Sequence, residues 1–231
     1  MNGFVSLALL VLMAALPVLV SYIWLRRKGW GILLFAAALL AGVLALITAV
    51  LLQSLFPPRT LLPGMWGIFF KLFIEIAGTE EGSRLVFLVL FLKLISRFPS
   101  SGAMDGNFKS DDFYFRSLAS GLASGLGFAF METISYAAAD LGIALFRAFS
   151  AAPLHAACGI RAAFAADFIV RGRDEKGTGG GRNFIFAVII HGMYNFLLIN
   201  PGVPAFVPVM LAFISLIVPL LVWRAKSGPP A

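Results

Sequence analysis

Charge is scarce in this chain. Of its 231 residues only 13% are Asp, Glu, Lys or Arg, while 60% are hydrophobic. A water-soluble domain carries about 25% charged and about 45–50% apolar residues. That shortage excludes a soluble enzyme, and the apolar excess excludes a disordered or low-complexity chain. Cysteine is nearly absent: Cys158 stands alone, so no intrachain disulfide can form. Histidine is almost as rare, with His155 and His191 the only two. No HExxH stretch is present, which leaves a zincin-like site unsupported. A GxGD pair is missing too, which argues against an aspartyl intramembrane protease. No polar stretch is long enough for a separate soluble domain, and no 20–50-residue repeat is apparent. The net charge of +7 would suggest nucleic acid in a soluble protein. Here it reads as Lys and Arg gathered in cytoplasmic loops, with no nucleic-acid partner.

What remains is a set of long apolar runs, so the expected fold is all-α: a polytopic helical membrane bundle forming one integral membrane domain over residues 1–231. The predicted spans are about Phe4 to Leu25, Trp30 to Phe56, Ile74 to Ile95, Ser117 to Ala138, Ser150 to Val170, Asn183 to Ile199 and Val203 to Trp223. The first run is too long for a signal-peptide core, and Arg26, Arg27 and Lys28 follow it rather than precede it, so it reads as a retained span. Residues 61–98 hold too much for one span. Lys/Arg placement arbitrates: one crossing from Ile74 leaves the loops 96–116 and 172–182 inside, with 60–73 along the outer interface. The expectation is about seven crossings, eight being the alternative, in the cell membrane, with the N-terminus outside and the C-terminus cytoplasmic.

The informative residues are ionisable groups inside apolar runs, each costing about 2.5–3.5 kcal/mol on the insertion scale. Of five glutamates, Glu75, Glu80, Glu81 and Glu132 lie within or beside predicted spans, and so do both histidines. At the helical rise, Glu132 lies about 12 Å below the outer edge, His155 about 8 Å, His191 about 15 Å and Asn195 about 9 Å. Four spans running in alternating directions thus place acids and imidazoles in one outer-half layer. Gly121 and Gly125 share a helical face with Glu132, and Ala151, Gly159, Ala162 and Ala166 share one with His155, so both groups should point into the bundle. His191 and Asn195, four apart, point the same way.

Blander readings stand beside these. A lone intramembrane histidine is often a satisfied packing group. Glu80 and Glu81 could be structural partners of Arg84, which neutralises one while the other works. Cys158 reads as a small packing residue rather than a nucleophile paired with His155. Ser120 and Ser124 each precede a glycine, a loose likeness to a rhomboid that leaves the glutamates unexplained. Arg161 and Asp167, off the His155 face, read as structural.

Adjacent carboxylates with a further acid and two imidazoles suit water activation. Burial and like-charge crowding raise a carboxylate's proton affinity and make it a better base near neutral pH. An imidazole beside an Asn amide suits a developing oxyanion. The same set could hold a divalent metal such as zinc, with ligands drawn from Glu81, Glu132, His155 and His191.

These residues carry a resemblance. Glu80-Glu81-Gly-Ser-Arg84 resembles the EExxK/R motif of PrsW-type membrane proteases. Gly125-Leu-Gly127-Phe128-Ala129-Phe-Met-Glu132 is similar to their GxGFAxxE, Pro153-Leu-His155-Ala-Ala-Cys-Gly159 to their His-containing third motif, and His191-Gly-Met-Tyr194-Asn195 to their HxxxN. The wider superfamily includes the CAAX-processing proteases, whose FxxxH motif stands here as Phe128 to Glu132. Arg84 replaces the more usual Lys, and Thr133 stands where Asn is frequent. The resemblance spans about 74–200 and implies a protease-like core there. It implies hydrolysis of a membrane-anchored protein, for example an anti-sigma factor, near the outer face of the bilayer. The implied roles are Glu80 or Glu81 as the base activating water, Glu132 and His155 as partners or metal ligands, and His191 with Asn195 as oxyanion stabilisers. The alternatives are an ion- or proton-coupled transporter, against which no inverted repeat is seen, and a catalytically silent membrane scaffold.

Overall fold

The computed structural model describes residues 3–56, 64–97, 113–137, 141–172 and 179–226, and the regular elements in them are helices. They are α1 (Gly3–Arg27), α2 (Ile32–Gln53), α3 (Gly64–Phe69), a π-helical segment (Phe70–Gly78), α4 (Thr79–Ser96), α5 (Phe113–Ala137), α6 (Leu141–Arg171), α7 (Gly180–Ile199) and α8 (Phe206–Lys226). The protein is an all-α helical membrane bundle. Five helices, α1, α2, α6, α7 and α8, are long and apolar enough to cross a membrane. The least membrane-like helices by composition are α4, with Glu80, Glu81, Arg84 and Lys93, and α5, rich in Ser and Gly. These two carry the buried glutamates Glu80, Glu81 and Glu132.

Two boundaries differ from the sequence reading. The stretch expected to lie along the interface up to residue 73 is not separate from the crossing after it: from Gly64 the chain stays helical to Ser96, passing through the π segment. That path is roughly 50 Å long at the helical rise, more than the ~30 Å hydrocarbon core. Residues 60–63 of the expected interfacial stretch, and most of loops 96–116 and 172–182, lie outside the described residues. The second difference concerns residues 141–149, expected in an outer loop. They form the first turns of α6. Pro153 interrupts nothing there, although it has no N–H to donate to the preceding turn.

α5 is clamped between α2 and α6 at backbone contact. A Cβ on Gly121 would lie 2.3 Å from the Gly159 carbonyl oxygen, and one on Gly125 2.1 Å from that of His155. On the other side, a Cβ on Gly42 would sit 1.8 Å from the Ser124 oxygen and one on Gly127 2.1 Å from that of Leu39. Helices in lipid gain nothing from hydrophobic burial against one another, so close approach through small residues is how they associate. At the end of α5 away from Glu132, Phe115 packs with Trp24, Trp30 and Trp223. The outer faces of α1, α2 and α8 carry exposed Leu, Ile, Val and Phe, a surface suited to lipid.

Candidate active site

Glu80 and Glu81 open α4 directly after the π segment. Successive helical residues point about 100° apart, so the two carboxylates meet different partners. Glu81 is fully buried, and each of its oxygens has a partner. Its Oε2 accepts from Arg84 Nη1, one turn along the same helix, and its Oε1 accepts from His191 Nδ1 at 2.8 Å. Arg84 Nη2 also lies 3.1 Å from His155 Nδ1. A guanidinium can only donate, so this nitrogen is the acceptor and the His155 proton sits on Nε2. That Nε2 donates to Glu132 Oε2 at 2.6 Å. Arg147 Nη2, from the early turns of α6, lies 2.6 Å from the same oxygen. Phe128 forms the apolar wall: the Arg84 guanidinium lies over its ring at 4.3 Å, and the His155 ring is 4.8 Å away.

Glu80 is different. Its Oε1 accepts from Gln53 Nε2 at 3.3 Å, but its Oε2 is buried without a hydrogen-bond partner. That oxygen stands 3.5 Å from His191 Nε2, and the two imidazoles meet edge to face with centroids 5.0 Å apart. Glu80, His155 and His191 each offer a ligand atom, all within 4.8 Å of one another. This buried group can hold a metal ion. Charge points the same way. Three carboxylates, Glu80, Glu81 and Glu132, face two guanidiniums, Arg84 and Arg147. One buried negative charge is left over, and its burial is costly unless a proton or a cation meets it.

Five of the six residues singled out from the sequence therefore meet in one network: Glu80, Glu81, Glu132, His155 and His191. The sixth, Asn195, is half-buried one turn beyond His191, and no hydrogen bond of the network reaches it. The Glu/His/His set differs from the ligand list expected from sequence. Glu80 enters it where Glu81 was expected: its ligand oxygen lies within 4.8 Å of both imidazoles' ligand nitrogens, while Glu81 accepts from Arg84 and His191. Glu132 lies behind His155, its Oε2 shared between imidazole and Arg147. Ser120 donates to the Arg116 carbonyl at 2.7 Å and Cys158 to that of Ala187 at 3.6 Å, so neither is joined to a histidine. Asp167 is paired with Arg171 at 3.0 Å and Arg116 at 3.9 Å.

Sequence reasoning missed three contributors. Arg147 falls between two predicted spans and draws no notice there, although an isolated Arg between Leu145, Phe146 and Phe149 is itself a signal. Gln53 was passed over at the end of an apolar run. Tyr194 donates to Ser150 Oγ at 2.8 Å, bolting α7 to α6 between the two histidines' helices.

No curated protein and no solved structure matches the chain. A family model does: the PrsW family intramembrane metalloprotease model covers residues 28–223, and so includes every element that contributes to the network. The four-motif resemblance is borne out, and with a buried Glu/His/His group in a helical membrane bundle it leads to one conclusion: the chain belongs to the PrsW family of intramembrane metalloproteases.

Proposed function

We propose that this multi-pass membrane peptidase hydrolyses a peptide bond of a membrane-anchored protein, such as an anti-sigma factor, near the outer face of the cell membrane, with Glu80 as the base that activates water. Family membership makes the protein a peptidase with a protein substrate in the membrane. The outer location rests on Lys and Arg in the sequence segments 96–116 and 172–182, which would face the cytoplasm with the C-terminus and leave the N-terminus outside.

The observation that carries the chemistry is the free, buried Oε2 of Glu80, 3.5 Å from His191 Nε2. Glu81 is the poorer base, because a guanidinium and an imidazole N–H hold its two oxygens and stabilise its ionised form. In this reading Glu80 takes the proton of a water as its oxygen attacks the scissile carbonyl carbon. His191 Nε2 receives that proton and gives it to the departing amine. Glu81 fixes the His191 tautomer through Nδ1 and stabilises the transient imidazolium, while Arg84 keeps Glu81 ionised. Asn195 is the amide donor assigned to the developing oxyanion. The closed site excludes bulk water, which strengthens each of these interactions.

A second reading is favoured by the ligand set itself. His₂Glu is an established catalytic zinc donor set, and the unpartnered Glu80 oxygen with the leftover negative charge fits a divalent cation. Glu80, His155 and His191 would hold it, with Glu81 and Glu132 orienting the two imidazoles from behind and His155 Nδ1 exchanging its hydrogen bond from Arg84 for the ion. When bound, such an ion supplies Lewis acidity and makes water nucleophilic at neutral pH. Holding it would take Glu80 Oε2 and His191 Nε2 out of the proton relay, so the two readings are separable.

The test is reconstitution with a single-span substrate, scoring cleavage by wild type, Glu80→Gln and Glu81→Gln before and after chelation, with metal analysis of the same samples. A chelator-insensitive wild type and a Glu80→Gln protein slower by about 10²–10⁴ support the glutamate base. Loss of activity on chelation with a stoichiometric metal in wild type selects the second reading. Normal cleavage by Glu80→Gln overturns both, and ion flux without cleavage overturns the peptidase mechanism altogether.

A further inference from the structure

α2 is apolar apart from Thr48 and its last residue, Gln53. At the end of a span a half-buried primary amide can turn to water or to partners within the bundle. Gln53 finds them across the bundle, in α4: Nε2 donates to Thr79 Oγ1 at 3.1 Å and to Glu80 Oε1 at 3.3 Å. Its position follows from packing. Ala38, Gly42, Ala45 and Ala49 are four of the five buried small residues of α2, and their spacing of four, three and four continues to Gln53 on the same face. The Gly42 contact with the Ser124 carbonyl fixes how close that face comes to α5. Thr79 is anchored in turn. Its hydroxyl lies 2.5 Å from the Glu75 carbonyl and 3.0 Å from that of Ile76, at the junction where the π segment becomes α4.

From this geometry we propose that Gln53 is a positioning residue for Glu80. It holds one carboxylate oxygen and thereby aims the other at His191. The choice of an amide is chemically pointed. Arg84 beside Glu81 supplies a full positive charge and silences that carboxylate. Gln53 supplies a neutral donor, which fixes the rotamer of Glu80 and leaves its charge available to a proton or a cation. Gln53 also lies outside the 74–200 stretch expected to carry the protease core, so the reactive carboxylate is aimed from a helix that none of the four motifs includes.

The inference rests on the peptidase reading for its kinetic arm, and a spectroscopic arm is independent of it. Gln53→Met keeps length and apolar bulk but cannot donate, and Gln53→Leu serves if Met perturbs packing. In the reconstituted full-length enzyme, kcat is expected to fall about 10–100-fold with KM nearly unchanged, the signature of a misaimed catalytic group. Gln53→Met added to Glu80→Gln should cost nothing further, because the two act through one oxygen. In the infrared difference spectrum of Gln53→Met against wild type, a carboxylate stretching band should shift, and the same comparison in a Glu80→Gln background should lack it. An unchanged kcat, full additivity in the double variant, or no carboxylate band each overturns the assignment. A wild type that cleaves no substrate but shows the band shift sinks the peptidase mechanism, and the positioning role with it, while leaving the hydrogen bond intact.

Discussion

α6 carries two sets of buried charge, and they differ in kind. Near one end, His155 joins Glu132, Arg147 and Arg84, with Glu80, Glu81 and His191 just beyond. Twelve residues later Asp167, equally buried, meets Arg171 and Arg116. At Asp167 one acid faces two permanent cations, so its charge is neutralised and nothing is left to react. At His155 the acids outnumber the guanidiniums, and imidazoles, which can lose or gain a proton near neutral pH, fill the gap. Burial of charge is common to both and is no mark of function by itself. What distinguishes a reactive cluster is acid in excess of permanent cations beside groups that can exchange protons or bind a cation, and Glu80, whose Oε2 has an imidazole rather than a guanidinium as its neighbour, stands in such a place.

Substitutions can break or sharpen that contrast. The largest effect after loss of Glu80 is expected from His191→Ala, which lowers turnover by roughly 10²–10³. Protein yield should change little, and metal analysis of the same sample separates a lost proton relay from a lost ligand. Near-normal cleavage by this variant would place His191 among packing residues and erase the distinction between the two clusters. Arg147→Met comes next, with about a 10–100-fold loss of kcat, since it acts through Glu132 on His155. Arg171→Met at the other cluster is the matching control, whose kcat should stay at the wild-type level. The smallest effect on chemistry belongs to Asp167→Asn. It should leave kcat intact and destabilise the fold by about 1–3 kcal/mol, read as a lower thermal midpoint in detergent. A catalytic defect there at full stability would show that the second cluster takes part in the reaction.

Much of this arrangement was legible in the amino-acid order. Hydropathy located the helices because apolar length is what a bilayer selects, and the ends of α5 and α7 fall within a few residues of expectation. Glu80, Glu81, Glu132, His155 and His191 stood out because each interrupts an apolar run, where a charge or imidazole needs a reason. The start of α6 was not legible. Asp140 and Gly142 look like loop punctuation, yet the helix begins at Leu141, and Arg147 was lost from view with it. The continuity of α3, the π segment and α4 also escaped, since a shift in hydrogen-bond register leaves no compositional trace. Gln53 was invisible for a different reason: an amide at the end of a span can reach water cheaply, so its position alone demands nothing. The division of labour between Glu80 and Glu81 needed partner geometry, because two adjacent glutamates read alike until their neighbours across the bundle are known.

The glycine seam of α5 has a consequence for anyone screening this protein by random mutagenesis. Gly121, Gly125 and Gly127 have no room for even one added carbon, since each would press on a neighbouring backbone carbonyl at 2.1–2.3 Å. A screen that scores only product would therefore rank Gly125→Ala with Glu80→Gln, and half of the GxGFAxxE stretch would be mistaken for reaction chemistry. Only Glu132 in that stretch reaches the network by a polar contact. Read with a parallel measure of folded protein, the same library would split into two phenotypes: variants that cannot assemble the bundle, and variants that assemble it and do not turn over.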